Sequence, residues 1–105
     1  MNISIEKARS FCKAGALQWT DHVFLRLIQR HIKTSDVEYT IMNGEIIEEY
    51  PTDYPHPSCL IFSTLKDGCP LHVVCGFAPD RLWLITAYYP DLIIWEPDYK
   101  TRKGK

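Results

Sequence analysis

The sequence predicts an α+β domain, with N-terminal helices packed on a C-terminal antiparallel β-sheet of about four strands. Two observations carry this prediction. Up to Asn43-Gly44 the apolar residues fall at helical spacing between capping and stop signals, and beyond Gly44 the chain turns to short strand-like runs. Those later runs are joined by brief turns, Asp67-Gly68 and Ala78-Pro79-Asp80, as in an antiparallel meander.

Taken in order, Ser4 to Lys13 reads as a short helix that Gly15 ends. Thr20 caps a second helix running to about Lys33, with Val23, Phe24, Leu27, Ile28, His31 and Ile32 on its apolar face. Thr34 or Ser35 caps a third through Ile41, which Asn43-Gly44 stops. Glu45 to Tyr50 alternates weakly. Pro51 to Pro57 holds three prolines in seven residues and is a loop, because proline cannot donate to a sheet ladder. Ser58 to Lys66, Pro70 to Phe77 and Arg81 to Tyr89 are strands, and Pro90 ends the last. Strict alternation groups Leu71, Val73, Cys75 and Phe77 on one face and His72, Val74 and Gly76 on the other. In the last strand it groups Leu82, Leu84, Thr86 and Tyr88 against Trp83, Ile85, Ala87 and Tyr89.

At 105 residues with 46% hydrophobic content, the chain reads as one domain, 1–105, able to bury a core. A net charge of −1 argues against a polyanion binder acting through its whole surface, so any nucleic-acid site is a local patch. The charge is uneven: Asp36 to Asp53 holds acids and no Lys or Arg, whereas Lys100 to Lys105 is mostly basic. Cys12, Cys59, Cys69 and Cys75 lack CxxC spacing and a histidine at finger distance, so they read as structural thiols, with no metal or other cofactor expected. With no signal peptide and no long apolar span, no membrane association is expected, and the expected compartment is a reducing cytoplasm.

The candidate chemistry starts from one stripe. His22, Arg26 and Arg30 are spaced four residues apart, which stacks them on one helical face with Gln29 and Lys33 beside them. One titratable imidazole and three cations share that face, with no carboxylate after Asp21, so it is suited to a phosphate. His72, Thr86 and Tyr88 come from the strands. A set of His, Arg and Tyr without metal ligands suits RNA cleavage by 2′-hydroxyl attack. That reaction needs a base, an acid for the leaving oxygen, and cations on the phosphorane. His22 or His72 can serve as base or acid. The plainer alternative makes Arg26 and Arg30 a solvated face paired with Asp21 or Glu38. It makes His31 a core or boundary residue, His56 an exposed loop residue, and Trp19, Trp83 and Trp95 packing residues.

Five segments carry a resemblance: His22-x-x-x-Arg26-x-x-x-Arg30; Gly44-x-Ile46-Ile47-x-x-Tyr50; Pro70-Leu71-His72-Val73-Val74; Ile85-Thr86-x-Tyr88-x-Pro90; and Trp95-x-x-Asp98-Tyr99-x-x-Arg102. In that order they resemble a family of small bacterial domains of unknown function. That family is similar in layout to the RelE- and MqsR-type ribonuclease toxins of type II toxin–antitoxin pairs. The resemblance implies a RelE-like fold and a metal-independent endoribonuclease, a bacterial mRNA interferase. Of the matched residues, His22, His72, Arg26 and Tyr88 would be catalytic and Arg30 and Thr86 would bind substrate, with Lys33, taken from the helical stripe and not from the matched segments, as a further substrate-binding cation. It implies an RNA substrate and a cognate antitoxin, of the kind with a CxxC zinc finger and a helix-turn-helix. The alternative is a non-catalytic protein- or RNA-binding module on the same fold. The first reading expects His22, Arg26, Arg30 and His72 to line one concavity.

Overall fold

The computed structural model describes residues 3–104. The elements run α1 (Ile5–Lys13), β1 (Leu17–Gln18), α2 (Asp21–Arg30), α3 (Thr34–Asn43), β2 (Glu45–Tyr50), β3 (Ser58–Thr64), β4 (Pro70–Phe77) and β5 (Leu82–Tyr88). The α+β prediction holds, with helices ahead of the main sheet. The sheet has five strands in the order β1-β5-β4-β3-β2 and is mixed. The additional strand is β1, where Leu17 and Gln18 pair in parallel with Leu82 and Trp83. Two residues are too few to carry an alternation pattern, so this strand has no local signature.

Local chemistry sets the helix ends. Ser4 accepts from the Lys7 amide and Thr20 from the Val23 amide, each satisfying an orphan donor of a first turn. α2 stops at Arg30, short of Lys33, because His31 takes a left-handed conformation at φ 57°. That turn sends Ile32 into the core, and the Ile32 amide closes onto the Leu27 carbonyl at 2.9 Å. His31 is therefore exposed rather than a core or boundary residue. α3 is capped at Lys33 rather than at Thr34 or Ser35, with Asp36 accepting from the Lys33 amide at 3.1 Å. Arg9 of α1 donates to the carbonyls of Ile41 and Gly44, which ties α1 to the end of α3. Gly44 is obligatory there, since a Cβ would lie 2.5 Å from the Phe62 and Thr40 carbonyl oxygens.

The main core lies between the helices and one sheet face. Ala8, Val23, Leu27, Val37 and Ile41 meet Cys59, Ile61, Val73, Cys75, Phe77 and Leu84 there. The Cys59 and Cys75 thiols face each other in this core, Cys12 is partly buried and Cys69 is exposed in the turn before β4. β4 alternates as expected, with His72, Val74 and Gly76 on the outer face. β5 does not. Its register with β4 slips between Val74 and Cys75: Val74 faces Thr86, and Cys75 faces Leu84. Ile85 is the inserted residue of a β-bulge. The slip keeps Leu82 and Leu84 in the helix-side core and puts Thr86 and Tyr88 opposite Val74 and His72, with the outer face. No helix among the described residues is long and apolar enough to cross a membrane.

Candidate functional site

His72 and Tyr88 meet on the outer face. The imidazole Nε2 lies 2.8 Å from the Tyr99 carbonyl oxygen, which can only accept, so Nε2 carries the proton. Nδ1, 3.2 Å from the Tyr88 hydroxyl, is then the acceptor and Tyr88 the donor. Phe62, Tyr88 and Trp95 each present an edge-on ring to the imidazole, that of Trp95 at 4.6 Å between centroids. Burial holds the His72 pKa below its ordinary value, against the opposing pull of the Tyr99 carbonyl and the Glu48 charge. The Tyr88 hydroxyl is raised, also by burial first. With no exposed surface and both ring nitrogens engaged, His72 presents nothing to a ligand in this conformation.

What covers His72 is the segment after β5. Asp91 and Asp98 organise its turns by accepting backbone amides at Ile93, Ile94, Lys100 and Thr101. Trp95 and Arg102 bridge across the segment. Arg102 stacks 4.6 Å over the Trp95 ring and grips Glu48 of β2 through Nε at 2.8 Å and Nη2 at 3.1 Å. The Tyr50 hydroxyl donates to the same carboxylate and is pushed up to about 12, by burial first and by Glu48 next. Sequence reading gave Glu48, Tyr50, Trp95, Tyr99 and Arg102 no role at His72. The turn-forming spacing of Asp91 and Asp98 was the available sign that this segment is ordered.

The helical stripe lies on the other side of the sheet. α2 packs along β5 through Val23 and Leu27 on the helix-side face. Arg30 reaches the end of β5, donating to the Ala87 carbonyl at 2.8 Å and to the Thr86 hydroxyl at 3.2 Å. That stretch of β5 has its edge clear of the sheet pairing, since β1 covers only Leu82 and Trp83. Arg26, one turn earlier, is half-buried and donates to Gln29 at 3.3 Å. Neither arginine pairs with Asp21 or Glu38. The ion pairs among the described residues are Arg81–Asp80, Lys100–Glu45 and Arg102–Glu48. His22 is exposed at the start of the helix. Lys33 lies beyond the helix end and off the stripe. The structure thus joins Arg30 to Thr86 and His72 to Tyr88, and it sets His22 and Arg26 on the same helix as Arg30. It does not bring the stripe and His72 into one concavity. What links the two groups is β5, where Thr86 and Tyr88 are two residues, about 7 Å, apart.

The supposed apolar face of α2 is also divided. Val23 and Leu27 are buried, but Phe24 and Ile28 are 40% and 73% exposed, and Leu25, outside the predicted face, is 52% exposed. Trp19 stacks on Phe24 at 5.5 Å. On the outer face a cavity of about 300 Å³ opens between the proline loop and the strands, where His56 is half-buried rather than exposed. No cluster of three or more His, Cys, Asp or Glu side chains suited to a metal ion occurs among the described residues.

Residues 19–89 match the profile of the family described as "Domain of unknown function (DUF4258)", so the chain belongs to that family. The matched span runs from the residue before the Thr20 cap to the residue after β5, and it includes His22, Arg26, Arg30, His72, Thr86 and Tyr88. No curated protein and no solved structure matches the chain.

Proposed function

We propose that the protein is a metal-independent endoribonuclease, the toxin of a type II toxin–antitoxin pair, acting in the cytoplasm at the strip between α2 and the free edge of β5. The observation that carries this reading is the pair of cations on that strip. Arg30 is fixed on Thr86 and the Ala87 carbonyl, and Arg26 sits one turn away with no carboxylate partner among the described residues. Like charges at i and i+4 repel, so the arrangement opposes helix stability unless an anion bridges it. A phosphate is such an anion, and two guanidinium groups clamp it well.

In this reading the reacting phosphate sits at Arg26, the middle of the stripe. His22 and Arg30 flank it, each about 6 Å away along the axis. His22 takes the proton of the 2′-hydroxyl as that oxygen attacks the adjacent phosphorus. Arg26 and Arg30 stabilise the extra charge of the phosphorane. Tyr88, kept protonated by its raised pKa, commits its one proton to the hydrogen bond with His72 Nδ1 at rest; in the reaction its hydroxyl turns from His72 toward the free edge of β5 and protonates the leaving 5′-oxygen at the Thr86 end. His72 positions the Tyr88 hydroxyl and does not touch RNA. The antitoxin partner covers the same strip, with an acidic segment on the arginines and apolar side chains on Phe24, Leu25 and Ile28; a partner with a CxxC zinc finger and a helix-turn-helix fits the family resemblance.

Single-turnover incubation with single-stranded RNA tests the proposal. Cleavage that leaves a 2′,3′-cyclic phosphate, and that stops when the attacking sugar is 2′-deoxy, is the expected result. Intact RNA, with ribosomes absent and with ribosomes present, overturns it. The exposed Phe24, Leu25 and Ile28 favour a second reading, a non-catalytic module that binds a protein through α2. That reading predicts partner binding that survives Arg26→Ala but not Ile28→Asp.

A further inference from the structure

The outer-face cavity takes no part in the site above. Asp53, Tyr54 and His56 of the proline loop form one wall, and Gly76, Trp83 and Ile85 form the floor and the other wall. Its volume of about 300 Å³ is at the lower end of the roughly 300–1,000 Å³ typical of small-molecule sites, room for one ring system rather than an extended ligand.

Gly76 leaves room at the floor of the cavity, where a Cβ would point between Ile85 and the His56 Cβ of the proline loop. It is fully inside a strand, where glycine has a cost in backbone entropy and often marks a close approach of something else. Its backbone does not demand glycine, since its φ is not positive. Its packing does not demand glycine either, because a Cβ would meet Ile85 Cδ1 at 3.4 Å, an ordinary contact. The missing side chain therefore serves the space above it.

The lining has the chemistry of a planar, partly polar ring. Trp83 is half-buried at the floor, and Tyr54 stands at the rim with 95% of its surface exposed. Two aromatic faces and the His56 imidazole suit stacking, which every nucleobase supplies. The Asp53 carboxylate at the rim is fixed by the Ser58 hydroxyl, which donates to it. A carboxylate accepts from an exocyclic amino group and repels a ring edge that offers only carbonyl oxygens. Ile85 is the bulge residue, directly adjacent to Thr86, on which Arg30 rests. The Ile85 wall of the cavity is thus one residue of strand, about 3.3 Å of rise, from Thr86, which Arg30 reaches at the free edge of β5.

We infer that this cavity binds one unpaired nucleobase bearing an exocyclic amino group, and so selects the nucleotide next to the phosphate held by α2. The inference rests on the RNA reading proposed above. Trp83 and Tyr54 stack the base, Asp53 accepts from its amino group, and Gly76 leaves the room. Uracil, with no amino group, is disfavoured.

Short homopolymers of 2′-deoxycytidine and 2′-deoxyuridine separate this from the cleavage reading, because neither has a 2′-hydroxyl to attack. Fluorescence anisotropy of labelled strands is expected to show the full chain binding the cytosine polymer about tenfold more tightly than the uracil polymer. Gly76→Leu, which fills the cavity, removes the preference. Trp83→Leu, at a half-exposed position, repeats the test should Gly76→Leu not fold. Loss of the preference in a folded variant, with salt-sensitive binding through the arginines retained, supports the inference. Equal binding of both polymers by the wild-type protein overturns the cavity assignment, and RNA cleavage in that same preparation leaves the endoribonuclease reading standing. No binding of either polymer together with no cleavage of RNA overturns both.

Discussion

Lowering the pH is expected to destabilise this protein through one residue, His72. Its ring is buried on the outer face, donates through Nε2 to the Tyr99 carbonyl and accepts at Nδ1 from Tyr88. Protonating Nδ1 would reverse its hydrogen bond with the Tyr88 hydroxyl and, at greater cost, bury a charge beside Phe62 and Trp95. The folded-state pKa is accordingly below the ordinary histidine value, with burial the first cause. Between the folded pKa and the unfolded value of about 6.5, the unfolded chain binds a proton that the folded chain refuses. Stability therefore rises with pH through this window, by up to about 1.4 kcal/mol per pH unit, and is lost as pH falls. The lowered carboxyl groups of Asp80 and Asp98 act in the same direction, but nearer their ordinary values well below the histidine range. Urea denaturation of the wild-type protein and of His72→Gln, at steps between about pH 7.5 and about pH 5, measures the effect. Glutamine retains a donor and an acceptor without titrating. The variant is expected to cost about 1–2 kcal/mol at neutral pH through lost packing and less ideal bonds. Its pH profile should be flatter than that of the wild type. Parallel profiles for the two proteins would refute the reasoning, since the slope would then come from elsewhere.

The remaining predictions concern the strip. Arg26→Ala should abolish cleavage with a stability change within about half a kcal/mol, whereas Arg30→Ala, which frees the Ala87 carbonyl and Thr86, should also lower stability by about 1–2 kcal/mol. Thermal melts beside the activity assay check both, and an Arg26→Ala protein with full activity removes that residue from the mechanism. Cleavage should persist in a chelator, because the proposed chemistry uses side chains alone; activity lost with EDTA and restored by a divalent ion contradicts it. Association with the antitoxin should slow as salt rises, because steering by exposed charge is screened over about 8 Å at physiological ionic strength; stopped-flow rates that ignore salt count against an acidic segment on the arginines.

The helices and the three long strands were legible because their signals are local. Ser4 and Thr20 cap where capping residues should, and the β4 alternation that separates His72 from Leu71 and Val73 follows directly from the pleat. What escaped depends on tertiary context. His31 ends α2 in a left-handed conformation because Ile32 must reach the core, and no glycine announces it. β1 exists only because the edge of β5 is there to pair with. The burial of His72 follows from Trp95, Tyr99 and Arg102, which lie more than twenty residues away in the sequence. Of the candidate site, the Arg26/Arg30 stripe was readable from its spacing. The attachment of Arg30 to Thr86 and Ala87 was not, because it spans helix and strand.

The bulge at Ile85 determines whether β5 can contribute any chemistry. With strict alternation, Thr86 and Tyr88 share a face with Leu82 and Leu84, and one side must lose. Either the two leucines leave the core or the two hydroxyl-bearing residues enter it. A single-residue slip inverts every later side chain, and here it occurs between the apolar half of the strand and the polar half. Leu82 and Leu84 stay packed beneath the helices, while Tyr88 meets His72 and Thr86 meets Arg30. The same inserted residue forms a wall of the outer cavity. One irregularity thus sets the core contacts of the strand, the donor position of Tyr88, the anchor for the arginine clamp and the shape of the neighbouring cavity. Deleting Ile85 would therefore disturb all four together, which is why single substitutions that leave the bulge in place are the informative variants.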